Sequence, residues 1–122
     1  MRTALICDTG FSGGRIVRQL LARTGLLPLL EVLVFSDEVG VPKPDRRMFE
    51  AAMGPLGVAP VDCVHVGDLK RTDVQGGRGA GMGTVRLLAV HDDPGEGPEA
   101  DALAGSYAEA LRAIEAAQTH RR

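Results

Sequence analysis

The chain has 122 residues, 44% of them apolar and 25% charged, which is one globular domain's worth and enough to bury a core. Fourteen basic against sixteen acidic residues give a net charge of −2, so no basic excess points to nucleic acid or an anionic membrane surface, and no apolar run reaches spanning length. With 3% aromatics and no Trp, a base-stacking platform is excluded; without a signal-peptide pattern, the two cysteines Cys7 and Cys63 read as buried, reduced thiols of a cytoplasmic protein.

Strand and helix patterns alternate along the chain. Thr3 to Cys7 is a short apolar run ended by Asp8-Thr9-Gly10, hence a strand and a turn. Ser12 is placed to cap a helix carrying Ile16, Val17, Leu20 and Leu21 at helical spacing, stopped by Gly25. Val32 to Phe35 is a second strand. The loop Glu38 to Pro44 follows, with Lys43 framed by Pro42 and Pro44. Asp45 is an N-cap for a helix whose stripe is Met48, Phe49, Ala52 and Met53, with Gly54-Pro55 ending or kinking it. Val61 to Val66 is a third strand ended by Gly67-Asp68. Asp73 to Gly81 reads as a helix of small residues, and Thr84 to Val90 as a fourth strand. His91 to Asp101 is an acidic loop, and Ala102-Leu103-Ala104 a short extra strand. Ser106 to Glu109 is a capping box for a last helix with Tyr107, Leu111 and Ile114 on its apolar face. Apolar strands separated by helices predict an α/β fold: a three-layer, Rossmann-like parallel sheet flanked by helices. The expected organisation is a single domain over residues 1–122, with no cap domain and a frayed tail at 118–122.

In such a sheet, ligands bind beyond the carboxyl ends of the strands. Three polar clusters lie there: Asp8-Thr9-Gly10, Lys43 in its Pro-framed loop, and Gly67-Asp68 through Asp73. Carboxylates without Cys or His ligands suit a hard cation such as Mg²⁺. A lysine, a hydroxyl and that cation together suit a phosphoryl group. Only two lysines stand among fourteen basic residues, so a lysine in this loop is a singular choice.

At these residues the sequence resembles the haloacid dehalogenase-like (HAD) hydrolases, over roughly residues 3 to 90. Phe35-Ser36-Asp37-Glu38-Val39-Gly40-Val41-Pro42-Lys43-Pro44-Asp45 resembles the family's lysine-bearing segment. Val64-His65-Val66-Gly67-Asp68 through Asp73, followed by Gly79-Ala80-Gly81-Met82, resembles its acidic GDxxxxD motif and the helix behind it. The resemblance implies that Lys43 stabilises the phosphoryl group and the nucleophile's charge. It implies that Asp68 ligates Mg²⁺ and that Asp73 supports the metal site. Cys7-Asp8-Thr9-Gly10 resembles the motif whose hydroxyl donates to the phosphoryl oxygens. That position falls on Cys7, Asp8 or Thr9, and Thr9 is the one hydroxyl of the three, with Gly10 beside it in the phosphate-binding turn.

The chain departs from the family in having no DxDxT nucleophile motif. Asp8 is no substitute, because Gly10 stands two residues on. The expectation is a core truncated before its nucleophile strand, which the resemblance places centrally, between the strands of Ile6 and Val64. Those two strands are then expected either to pair directly or to self-associate through open edges.

The remaining polar residues read as structural. His65 is a packed strand histidine, His91 a surface residue, and Lys70 and Arg71 solvated. Asp92 to Asp101 is a solvated loop lacking EF-hand ligand spacing. Gly76 to Gly81 has no Lys-Ser/Thr pair and is no phosphate loop. The implied function is a Mg²⁺-dependent phosphatase of a small phosphorylated metabolite acting through an aspartyl-phosphate. The alternative is a catalytically inactive module that binds phosphate or a partner. A receiver-type signalling domain would carry its acidic cluster before its lysine, the reverse of the order here.

Overall fold

A computed structural model describes residues 1–120. The chain clusters into two compact units, Met1–Gly57 and the segment from Val58 onward. Each is built from parallel strands, joined through helices except where the irregular segment 88–101 links the last two strands.

In the first unit, β1 (Ala4–Cys7) pairs in parallel with β2 (Val32–Phe35), in a register that sets Cys7 opposite Phe35. The connection runs through α1 (Gly14–Arg23) and a 3₁₀ turn at Leu27–Leu29. α1 is not capped by Ser12 as the sequence suggested. Gly13 occupies the cap position, and no side chain of the helix's own entry satisfies its amides. Val17 and Leu21 are half-buried, whereas Ile16 and Leu20 face solvent. The helix approaches β2 at Gly14, where a Cβ would lie 2.8 Å from the Phe35 ring, and Arg18 stacks its guanidinium over the same ring at 4.7 Å. Gly25, at φ 77°, turns the chain out of the helix as expected.

After β2 come a single turn, α2 (Ser36–Val39), and then α3 (Arg46–Leu56). Met48, Phe49, Ala52 and Met53 are all buried, as their spacing predicted, and they form most of this unit's core with Val34 and Phe35. Pro55 does not stop α3 at once. It falls in the last turn, where the amide it lacks costs one bond only, and the helix ends at Leu56 with Gly57 left-handed at φ 63°.

In the second unit, β3 (Val64–Gly67) pairs with β4 (Gly83–Leu87), and β4 with β5 (Ala102–Ala104), all parallel. β3 starts later than the apolar run implied, because Pro60–Asp62 forms a 3₁₀ turn. β4 ends at Leu87, not Val90. The expected small-residue helix is two pieces: a π turn at Lys70–Val74 and α4 (Gln75–Gly79). Strand alternation divides the sheet's faces. His65 and Thr84 face α4, where Gly77 allows close approach: a Cβ there would meet Thr84 at 2.8 Å. Val64, Val66, Val85, Leu87 and Ala104 pack on the other face against Ala110 and Ala113 of α5 (Tyr107–His120). This corrects the face expected for the last helix. Tyr107 and Leu111 are exposed, because alanines permit the closer helix–sheet contact. The capping box forms: Ser106 Oγ accepts from the Glu109 amide, while Glu109 reaches back to the amide of Gly105.

The described residues make two ladders, β1–β2 and β3–β4–β5, and the expected direct pairing of β1 with β3 is in neither of them. Among the described residues neither Cys7 nor Cys63 forms a disulfide, and both are half-buried, less enclosed than their apolar neighbourhoods implied. No helix among the described residues is long and apolar enough to cross a membrane. The tail expected to fray from residue 118 is helical to His120, and residues 121–122 lie outside the described residues.

Candidate active site

The parallel register of β1 and β2 brings their following loops side by side. Thr9, two residues beyond Cys7, meets Ser36 and Asp37, which directly follow Phe35. The Thr9 amide donates to Ser36 Oγ at 2.8 Å, and the two hydroxyl oxygens lie 2.9 Å apart. Thr9 Oγ1 donates to Asp37 Oδ1 at 3.0 Å and accepts from the Asp37 amide at 3.1 Å. Both Asp37 oxygens accept from the Gly14 amide, so Asp37 caps α1 from across the loop. The Gly14 amide above all holds the Asp37 carboxyl below its usual range; desolvation opposes it, and the Thr9 hydroxyl adds a smaller lowering effect. The hydroxyl expected to face a phosphoryl group is thus engaged within this unit.

Lys43 follows α2 in its Pro-framed loop, joined to Pro44 by a cis peptide. Its backbone amide donates to Asp8 Oδ1 at 2.9 Å. Burial pushes the Cys7 thiol up. The Lys43 ammonium opposes that rise and the Asp8 carboxylate adds to it, so both charges act at the carboxyl end of β1. Asp45 caps α3 through the Arg47 amide and pairs with the Arg47 guanidinium, whose hydrogen bonds hold its pKa at about 2.

In the second unit the loop after β3 is built around a buried carboxylate. Asp73 is 5% exposed. Its Oδ2 accepts from the amides of Asp68 and Leu69, each at 3.2 Å, and its Oδ1 lies 2.9 Å from His65 Nε2. The π turn makes this possible. The amides of Asp73 and Val74 both bond to Leu69 O, which swings residue 73 back over the strand end. Gly67 is required there, since a Cβ would lie 2.1 Å from the Asp73 carboxyl carbon. His65 is packed, as expected, and its partner is the acid that shapes the loop.

Asp68 is held by its amide and presents its carboxylate outward, 48% exposed, with His91 Nδ1 3.4 Å from Oδ2. The acidic loop is largely exposed, as its composition suggested, but it is fastened to the loop after β3. Asp93 accepts from the Lys70 amide, Lys70 Nζ donates to Gly95 O, and Arg71 donates to Glu96 O. Arg86, 3% exposed in β4, donates to both oxygens of Glu99 and to Asp92. These bonds raise the Arg86 pKa and bring Glu99 down to about 2. Lys70 and Arg71 fasten this loop through exposed bonds, and Arg71 stays solvated as expected.

The expected site residues therefore fall in two groups. Thr9, Gly10 and Lys43 stand at the strand ends of the first unit, and Asp68 and Asp73 at those of the second. Among the described residues, no three His, Cys, Asp or Glu side chains gather as a metal cage. Sequence reasoning placed Asp8 in the strand-end cluster without giving it a role, and missed Ser36, Asp37 and Arg86. For Ser36 and Asp37 a signal existed, since they directly follow a strand and so share the edge with Thr9. Nothing in the sequence marked Arg86 as buried.

The haloacid dehalogenase-like hydrolase family model matches residues 5–81, more than half of the chain. Pyrimidine 5'-nucleotidase YjjG of Escherichia coli is 41% identical over 93 residues, covering 75% of this chain and 40% of that protein. A glyceraldehyde 3-phosphate phosphatase of Methanopyrus kandleri is 42% identical over 87 residues, covering 66% and 37%. Among solved structures, a HAD phosphatase from Thermococcus onnurineus superposes with a TM-score of 0.72 at 31% identity, over 80% of this chain and 45% of that one. The chain thus spans about two-fifths of the length of the curated relatives it matches.

Proposed function

We propose that this chain, which belongs to the haloacid dehalogenase-like hydrolase family, supplies the phosphoryl-stabilising and metal-supporting part of a phosphatase acting on a small phosphorylated metabolite. The observation that carries the reading is the Asp68–Asp73 loop. One carboxylate is buried and engaged by two amides and a histidine, and a second, Asp68, is fixed at its backbone with its side chain half-exposed beside His91. An outward carboxylate on a pinned loop suits a hard cation that keeps most of its waters, and Mg²⁺ fits that donor chemistry. Asp68 would hold it, with Asp73 fixing Asp68 through its amide. When bound, the cation offsets negative charge on a phosphoryl group.

The chain's own residues divide the remaining work. Within the first unit the Lys43 ammonium supplies a counter-charge suited to a phosphoryl group, and the Thr9–Gly10 turn shapes the end of β1 beside it. Covalent turnover through an aspartyl-phosphate needs a carboxylate nucleophile, and these 122 residues contain no DxDxT motif to provide one. The phosphatase names among the relatives support the reaction class. The free edges of β1 and β3, each paired on one side, are where another strand would add, so self-association is the partner expectation.

Calorimetric titration of Mg²⁺ into the chain and into Asp68→Asn tests the reading. Weak binding that the substitution abolishes is expected, and equal binding by both removes Asp68 from the site. Turnover of a generic phosphate ester by the 122 residues is expected to be negligible. Robust Mg²⁺-dependent hydrolysis lost in Lys43→Ala would show that the nucleophile lies within this chain.

A further inference from the structure

We propose that Asp8 is the positioning residue of the Lys43 loop: its carboxylate at the end of β1 fixes the Lys43 backbone, and with it the place where the Lys43 ammonium meets a phosphoryl group. The inference rests on the phosphoryl-facing role proposed for Lys43 and adds the residue that sets it.

The reasoning begins with the prolines. Pro42 and Pro44 have no backbone N–H, so across these three residues the Lys43 amide is the one main-chain donor. That donor goes to Asp8 Oδ1 at 2.9 Å, a contact made across 35 residues of sequence. The loop's other closing bond, from the Asp45 amide to Pro42 O, is local and does not tie the segment to the sheet. Asp8 therefore makes the main-chain link between the lysine's own residue and β1.

Thr9 cannot substitute. Its hydroxyl and amide are committed to Ser36 and Asp37, the residues that anchor the next loop. The adjacent side chains Asp8 and Thr9 thus hold two different segments to one strand end. Asp8 takes the lysine loop and Thr9 takes α2. The carboxylate also places a negative charge near the same strand end as the Lys43 ammonium, as their opposed effects on Cys7 indicate. A carboxylate there is unfavourable for a phosphate taken alone, because like charges repel. Its retention as an acceptor for the Lys43 amide is what offsets that repulsion.

Two roles for Asp8 make different predictions. If it only repels anions, Asp8→Asn and Asp8→Ala both improve phosphate binding. If it positions Lys43, the asparagine keeps an acceptor oxygen and the alanine loses it. The experiment measures amide hydrogen exchange at Lys43 by NMR in the full 122-residue chain, together with its titration by inorganic phosphate. The Lys43 amide is expected to be protected in wild type and Asp8→Asn, and to exchange roughly tenfold faster in Asp8→Ala. Phosphate affinity is expected to be equal or higher in Asp8→Asn and roughly fivefold lower in Asp8→Ala. Unchanged Lys43 exchange in Asp8→Ala, or tighter phosphate binding by Asp8→Ala than by Asp8→Asn, overturns the proposal. Should Asp8→Ala fail to fold, Asp8→Ser, whose hydroxyl is too short to reach the amide, gives the same reading. A Lys43→Ala chain that binds phosphate as well as wild type would reject the phosphoryl role of Lys43, while the exchange rates still decide whether Asp8 holds the loop.

Discussion

The two units hold their strand-end loops by different means. In Met1–Gly57 the Thr9, Ser36, Asp37 and Gly14 groups form a network of half-buried hydroxyls, amides and one carboxylate, Asp37, that solvent reaches. In the second unit the corresponding loop hangs on Asp73, and the loop behind it on Arg86, both nearly inaccessible. A solvent-facing network loses little when one member is removed, because water takes its place. A buried charge has no such substitute, so removing its partners, or removing it from them, leaves polar groups stranded. Fixed geometry around Asp68 and adaptable geometry around Thr9 follow from that difference.

Asp73→Ala should show it most strongly. The amides of Asp68 and Leu69 and the His65 ring would lose their common acceptor in a buried setting, a loss of about 4 kcal/mol. Urea unfolding followed by circular dichroism measures it, and a loss under about 1 kcal/mol would mean that water reaches the loop as freely as in the first unit. Gly67→Ala comes next, at about 3 kcal/mol, since its Cβ would collide with the Asp73 carboxyl group. Its counterpart Gly10→Ala meets nothing within 4 Å and should stay within about 0.5 kcal/mol of wild type. Equal costs at the two glycines would abolish the contrast between the units.

Thr9→Val removes the hydroxyl bonds to Ser36 and Asp37 but leaves the Thr9 amide bond. About 1 kcal/mol is expected by the same measurement. The last effect is one of pH. Hydrogen bonds from Arg86 lower the folded-state pKa of Glu99 from 4.5 to about 2. A depressed carboxylate stabilises the fold fully above its unfolded value, and that stabilisation fades as pH falls from about 4.5 toward about 2. Urea midpoints at about pH 6 and about pH 2.5 should therefore drop further in wild type than in Glu99→Gln. Identical drops would show that Arg86 is satisfied without Glu99.

Much of this was legible along the chain. The Met48, Phe49, Ala52 and Met53 stripe, the Asp45 cap, the short strand of residues 102–104 and the Ser106–Glu109 box all rest on local spacing, and local spacing is what a single sequence displays. The lysine loop and the GDxxxxD segment were visible for the same reason. Strand ends were harder: Pro60–Asp62 and residues 88–90 belong to apolar runs that leave the ladder early, and ladder membership depends on a partner strand elsewhere in sequence.

The sequence by itself determined the order of the elements, the parallel α/β class, the family and the motif residues from which the proposed site is drawn, because periodicity and motif order need no partner. Tertiary structure alone decided how those residues are used. It committed the Thr9 hydroxyl to Ser36 and Asp37 and joined the Lys43 amide to Asp8. It buried Asp73 on His65 and two amides, and it turned an acidic loop into the counter-charge of a buried Arg86. Each of these is a contact between groups remote in sequence, and the strength of a polar contact depends on the burial that only packing creates.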